Sequence, residues 1–259
     1  MNRRSDFMKK NTMLAAGIIL LYCLSVIACN SPATVDNQLI KKEIKDGWQL
    51  LFDGKTMTGW RRIYTNSPPK SGWHVADGCL IVEKEKSEES TNGGDLITVK
   101  EYGNFDLTFD FKLTPGANSG IKYFVIESLG NPNSGYGYGP EYQIIDDQAH
   151  PVFETGQIPV GCKLAGLYEL IEAPDTKKVN PVGEWNTGRI VSKDHHVEHW
   201  LNGELVVSYV LGSEEFKALV LQSKFRNIKG YGEVARGHIL IQDHGDKVSY
   251  KNIKIKELK

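Results

Sequence analysis

Phe105-Asp106-Leu107-Thr108-Phe109-Asp110-Phe111-Lys112-Leu113 is the stretch on which the fold turns. Apolar and polar residues alternate along all of it. Successive side chains of a β-strand point to opposite faces, so this period of two predicts a strand with one core face and one wet face. The pattern recurs outward in both directions. Trp73-His74-Val75 and Cys79-Leu80-Ile81-Val82 flank Asp77-Gly78, and residues 197–201 and 205–210 flank Asn202-Gly203. Both pairs predict hairpins with tight turns. Further strands are expected at 49–52, 96–99, 121–126, 141–145, 167–171, 189–191, 239–243 and 248–255. A short helix is expected at 213–218, capped by Ser213 with Glu214 and Glu215 in its first turn. Many strands between Gly, Asn and Asp turns, with no long helical stretch, predict an all-β sandwich or jelly roll.

The N-terminus is of another kind. Arg3, Arg4, Lys9 and Lys10 precede an apolar run at 13–28, which is short for a membrane span and is followed by polar sequence. This is the plan of an export signal. Val26-Ile27-Ala28-Cys29 resembles the lipobox of bacterial lipoproteins, whereas the bulky Tyr22 fits poorly before the rival Cys23. The expected organisation is a signal peptide at 1–28, lipidated Cys29 and a polar spacer at 29–45, and one domain at 46–259. Acyl chains at Cys29 would attach the protein to a membrane without a transmembrane helix. Asn30-Ser31-Pro32-Ala33 lacks an acidic block of the kind that resembles a surface-export tag, so the periplasm-facing outer membrane is expected. Cys79 and Cys162 remain; export permits a disulfide, and two free thiols are equally compatible. The 31 basic and 32 acidic residues are interspersed, and no basic stripe suggests nucleic acid.

Chemistry gathers in a few places. Glu141-Tyr142-Gln143-Ile144-Ile145-Asp146-Asp147 runs on to His150. In a strand, Glu141 and Gln143 share one face, solvent or groove, while Tyr142 and Ile144 face the core. On the C-terminal side, His238, Leu240, Gln242 and His244 alternate with Ile239, Ile241 and Asp243. His199 falls between core-facing Val197 and Leu201, where a structural role competes with a basic one. Residues 129–140 and 150–163 are glycine- and proline-rich loops of the kind that border binding sites. The first carries Tyr136 and Tyr138, suited to stack on a sugar face. Carboxylates and imidazoles of these clusters are types that hold a divalent ion, but no tight metal spacing occurs. The sequence therefore assigns no cofactor and leaves a divalent metal open. Nucleophile elbows, phosphate loops and paired Cys-x-x-Cys motifs are absent.

Several blocks together resemble the 3-keto-disaccharide hydrolase domain family, formerly a domain of unknown function. They are Trp48-Gln49-Leu50-Leu51-Phe52-Asp53-Gly54-Lys55 with Gly59-Trp60, Gly94-Asp95-Leu96-Ile97-Thr98, Asn118-Ser119-Gly120-Ile121, the 141–147 run with His150, Gly183-Glu184-Trp185-Asn186-Thr187, residues 197–203, and 237–245 with Gln242-Asp243-His244-Gly245. The resemblance implies a concanavalin A-like, laminin G-like jelly roll of two antiparallel sheets. It also implies export in Bacteroidetes-type bacteria and action on oxidised (3-keto) glycosides or disaccharides. A ketone at C3 acidifies the C2 hydrogen, so a base can form an enediolate and the C1 substituent can leave; hydration then completes net hydrolysis. His150 is the expected base with Asp147 orienting it, and His199 and His244 are rivals. Glu141 would hold a hydroxyl or serve as acid. Asn118, Gln143, Arg189 and Gln242 are expected donors to hydroxyls or to the enediolate. Lys122 stands where the family pattern has an aromatic, which bears on substrate choice. The competing readings are a non-catalytic carbohydrate-binding module of the same fold and a structural or adhesion lipoprotein.

Overall fold

Alternation dictates the architecture. A computed structural model describes residues 35–84, 93–133 and 135–259. The expected signal peptide and Cys29 lie outside the described residues. The strands, in chain order, are β1 Trp48–Leu50, β2 Trp60–Arg62, β3 Trp73–Ala76, β4 Cys79–Val82, β5 Leu96–Tyr102, β6 Phe105–Leu113 and β7 Asn118–Val125. They continue as β8 Glu141–Ile145, β9 Asn186–Lys193, β10 His196–Leu201, β11 Glu204–Val210, β12 Gly237–Ile241 and β13 Val248–Glu257. Two short helices accompany them, α1 Lys41–Lys45 and α2 Glu214–Gln222.

One sheet has the order β11-β10-β9-β6-β13-β4-β3, with β1 also on β13; the other has the order β2-β5-β12-β7-β8. Every pairing within them is antiparallel. The two antiparallel sheets form a jelly-roll sandwich. Phe105, Leu107, Phe109 and Phe111 of β6 are fully buried. They meet the inner face of the second sheet, where the Phe109 and Tyr142 rings lie edge-on at 5.4 Å and Phe105 and Phe124 at 5.8 Å. Burying each such side chain contributes about 1.5–3 kcal/mol.

The inner face of β7 and β8 takes Ile121, Tyr123, Tyr142 and Ile144 into the core. By alternation the opposite face carries Lys122, Glu141 and Gln143. A bulge adjusts this register: His238 pairs with Val125 but Leu240 with Lys122, so two β7 residues oppose Ile239 alone. Phe124 takes φ 55° there, and both Tyr123 and Phe124 turn into the core.

Four expectations need correction. Residues 167–171 form no strand; Leu167 makes only isolated bridges to Tyr142 and Ile171. Ala165 and Glu169 sit at positive φ, which breaks the extended run. The segment instead straps the edge of β8: Ala165 N donates to Gln143 O, Gln143 N to Gly166 O and Tyr168 N to Glu141 O. It thereby satisfies an edge that would otherwise be open. Second, β2 was not anticipated, because three residues show no period. Third, the spacer expected to end at 45 is docked from Asn37 onward. The buried Asn37 donates from its amide N to Asn252 Oδ1 and from Nδ2 to Gly78 O, and accepts at Oδ1 from Asn252 N. Fourth, α2 runs one turn further than expected, although Ser213 Oγ does accept from Phe216 N as its cap. Cys79 and Cys162 are both free thiols.

Candidate active site

The outer face of β7 and β8 is the floor of a cavity of about 410 Å³. Lys122, Glu141 and Gln143 supply the floor, with Asn118 at the start of β7 and Gln242 and His244 just after β12. Tyr136, Gly137, Tyr138 and Gly139 make one wall; Tyr168 of the strap, with Lys224 and Phe225 beyond α2, make another.

The glycine-rich wall is held in place. The fully buried Asp95 accepts from Gly137 N through Oδ2 and from Asp243 N through Oδ1, both at 3.0 Å. Tyr64 OH donates to Tyr136 O, and Tyr123 N donates to Pro140 O. Gly137 is required by close approach: a Cβ there would come within 2.6–2.9 Å of Leu240, Ile63 and Val125 side chains. The loop backbone therefore lies flat on the sheet and aims Tyr136 and Tyr138 at the cavity. On the facing wall, Lys224 Nζ lies 4.2 Å from the Tyr168 ring centroid and donates to the Tyr168 hydroxyl.

The electrostatics follow from burial. Glu141 and Lys122 are directly opposed across β8 and β7, with Oε2 and Nζ 3.8 Å apart, and both side chains are buried. Burial pushes the Glu141 carboxyl above the ordinary glutamate range, with Lys122 opposing. It pushes Asp95 up in the same way, again against Lys122. Two buried carboxylates thus share one ammonium. Burial disfavours the Lys122 charge, but Glu141 and Asp95 outweigh it and its pKa is raised. His244 keeps an exposed edge at the cavity mouth, yet the packing around it lowers its pKa, with Asp246 opposing. The imidazole is therefore neutral near pH 7.

The sequence-derived residues divide. Asn118, Lys122, Tyr136, Tyr138, Glu141, Gln143, Gln242 and His244 come together in this one cavity. His150 does not line it. Its Nδ1 accepts from Val152 N and caps a 3-10 turn at Pro151–Glu154. Burial lowers its pKa, with Asp246 and Asp146 opposing. Asp147 does not orient His150: Oδ1 accepts from Leu164 N, and Oδ2 pairs with Lys177 Nζ at 2.8 Å. His199 is fully buried between the sheets, where Nε2 meets Tyr123 OH at 2.8 Å and Nδ1 meets Ala165 O at 3.1 Å. With its pKa pushed down to about 4 by burial, it is a neutral core residue that ties the strap to β10. Arg189 lies on the other sheet, forked onto Asp106 at 2.7 and 2.8 Å with its guanidinium over Trp200. It does not line the cavity.

Sequence reasoning missed Tyr168, Lys224 and Phe225, which come from irregular segments without period. Asp95 was also missed as a site residue, although a lone acid between Gly94 and the apolar start of β5 was a usable signal. Among the described residues, no group of three or more His, Cys, Asp or Glu is placed to hold a metal.

Residues 47–256 match the 3-keto-alpha-glucoside-1,2-lyase-like domain. The chain belongs to this family. A curated relative, the 3-keto-disaccharide hydrolase of Bacteroides thetaiotaomicron, is 35% identical over 233 residues, spanning 82% of this chain and 79% of its own. The crystal structure of a candidate glycosyl hydrolase from Parabacteroides distasonis superposes with a TM-score of 0.76 at 39% identity, covering 87% of this chain and 100% of that one. A second candidate glycosyl hydrolase from the same organism gives a TM-score of 0.59 at 27% identity, covering 82% and 99%. Family membership makes the protein a carbohydrate-active enzyme of the glycosidase or lyase type.

Proposed function

We propose that the protein cleaves 3-keto-glycosides, including 3-keto-disaccharides, by removing the C2 proton and eliminating the C1 substituent, with or without hydration. The observation that carries this reading is that a carboxyl, Glu141, and an imidazole, His244, line one cavity. Burial raises the carboxyl of Glu141 and lowers the imidazole of His244. Groups driven apart in this way are suited to act as acid and base in one reaction. His244, neutral near pH 7, accepts the C2 proton; Glu141, which binds its proton more tightly than an exposed glutamate, delivers one to the departing oxygen.

The rest of the cavity suits a polyhydroxylated ring. Asn118 Oδ1, Gln143 Oε1 and Gln242 Oε1 are buried without a hydrogen-bond partner among the described residues. Each unmet buried acceptor costs about 1–3 kcal/mol, which sugar hydroxyls would offset. Tyr136 and Tyr138 offer rings for the sugar face. A binding module of the same fold would need the tyrosines and amides but not a buried acid and an imidazole on the same cavity. With export and lipid attachment at Cys29, the reaction is proposed for the periplasm-facing outer membrane.

A keto-glycoside deuterated at C2 tests the chemistry. Elimination predicts a primary isotope effect on aglycone release and loss of the C2 label, with solvent hydrogen at C2 only in a hydrated product. An unchanged rate with the label fully retained would mean direct displacement and refute the reading.

A further inference from the structure

Elimination leaves one need that Glu141 and His244 do not meet. Removing the C2 proton places a full negative charge on the C3 oxygen, and in a buried site that charge requires a donor already in position. The amide side chains are neutral. Of the two ammonium groups on the cavity, Lys224 is half-exposed and bonded to the Tyr168 hydroxyl, whereas Lys122 is buried on the floor, its side chain 10% exposed.

The ammonium has three N–H groups. Among the described residues, one is committed to Gly137 O at 3.1 Å, while Glu141 Oε2 at 3.8 Å is an ion-pair contact longer than a hydrogen bond. Capacity to donate therefore remains on a group that lines the cavity. Its position is fixed by construction. Lys122 lies on β7 between β12 and β8, opposite Leu240 on one side and Glu141 on the other. Gly137, which takes its hydrogen bond, is itself pinned by Asp95. The adjacent bulge buries both Tyr123 and Phe124, which leaves Lys122 on the outer face.

We propose that Lys122 is a catalytic residue, the charged donor that holds the C3 oxygen as the enediolate forms. This rests on the cleavage reading above. His244 takes the C2 proton; the C–H electron pair becomes the C2=C3 bond, and the carbonyl π pair moves onto O3. Lys122 donates a hydrogen bond to O3 and keeps its proton. As the C3 carbonyl re-forms, the C2=C3 pair shifts to C1=C2 and the C1–O electrons leave on the aglycone oxygen, which takes a proton from Glu141. The raised pKa of Lys122 agrees with a cation that never acts as a nucleophile. A charge-assisted hydrogen bond is about twice as strong as a neutral one, so the ammonium serves a developing oxyanion better than an amide would.

The test isolates enediolate formation. A 1,5-anhydro-3-keto sugar has no aglycone to lose, so exchange of its C2 hydrogen with D2O, followed by NMR, reports proton abstraction without glycosidic cleavage. The wild-type protein should exchange it. Lys122→Met should slow exchange by about 10²–10³-fold, the loss seen when one oxyanion donor is removed, while KM for a chromogenic keto-glycoside changes by less than about threefold. Lys122→Arg, which keeps the charge, should recover part of the rate. A folded Lys122→Met protein exchanging at the wild-type rate overturns the assignment. Should that variant not fold, Lys122→Arg and the wild-type protein still decide. Full loss of exchange in a folded Lys122→Arg protein would overturn it, as would a borohydride-trapped adduct of the wild-type protein on Lys122, which would show imine chemistry. A wild-type protein that neither exchanges the probe nor cleaves a keto-glycoside would sink the cleavage reading itself. An active wild type with an equally active Lys122→Met sinks only the role of Lys122.

Discussion

Replacing His199 by glutamine separates a structural histidine from a catalytic one. In the native core, His199 Nδ1 donates to Ala165 O and Nε2 accepts from Tyr123 OH, which in turn lies 2.7 Å from Tyr209 OH. Glutamine can reproduce both bonds but does not titrate. Burial pushes the His199 pKa from 6.5 down to about 4. Because the folded value lies below the unfolded one, the unfolded chain binds the proton more readily. Stability is full above about pH 6.5 and is lost as pH falls toward 4, where the loss levels off. Linkage gives roughly 2 kcal/mol lost at pH 5 and roughly 3 kcal/mol at pH 4. The assay is urea unfolding of both proteins across this range. Carboxylates shared by the two cancel in the difference, so the wild-type advantage over His199→Gln should shrink by those amounts. At neutral pH the variant should retain turnover. Parallel pH profiles would refute the buried, neutral assignment, and a loss of turnover without a loss of fold would return His199 to the chemistry.

Three further outcomes follow from the placement of the site. His244→Ala should lower kcat by about 10²–10⁴-fold, the range for a general base, whereas His150→Ala should lower it by less than about tenfold; steady-state kinetics on one keto-glycoside compares them. Glu141→Gln should slow release of poorly leaving sugar or alkyl groups much more than release of a nitrophenolate, since only the former needs acid assistance, and a leaving-group series reads this out. Arg189→Ala should leave kcat/KM unchanged and cost about 0–1 kcal/mol in unfolding experiments, as its pair with Asp106 is partly solvated.

The sandwich was legible because alternation is a local property. The strand around Phe109 needed nothing beyond its own residues, and the shared face of Glu141 and Gln143 followed from the same rule. That this face is a buried groove was not legible, because its walls come from elsewhere in the chain. Tyr168 sits in a strap that pairs with β8 without strand geometry, and Lys224 follows a helix whose docking has no sequence period. The histidines show the same limit. Alternation placed His199 among core residues, but a neutral buried imidazole and a catalytic one look alike in sequence. His150 seemed close to Asp147 because they are near in the chain, whereas Asp147 is engaged by Lys177 and the strap. The polar neighbours of Arg189 give no indication of which sheet receives it, and it pairs with Asp106 on the sheet away from the cavity.

In the proposed reaction it is the C3 ketone that makes the glycosidic bond cleavable. The direct measurement incubates the protein with a nitrophenyl glucoside and its 3-keto form, side by side, and follows the chromophore. Release from the keto form alone is predicted. Equal release from both, or no release from either alongside measurable binding of plain glycans, would contradict it.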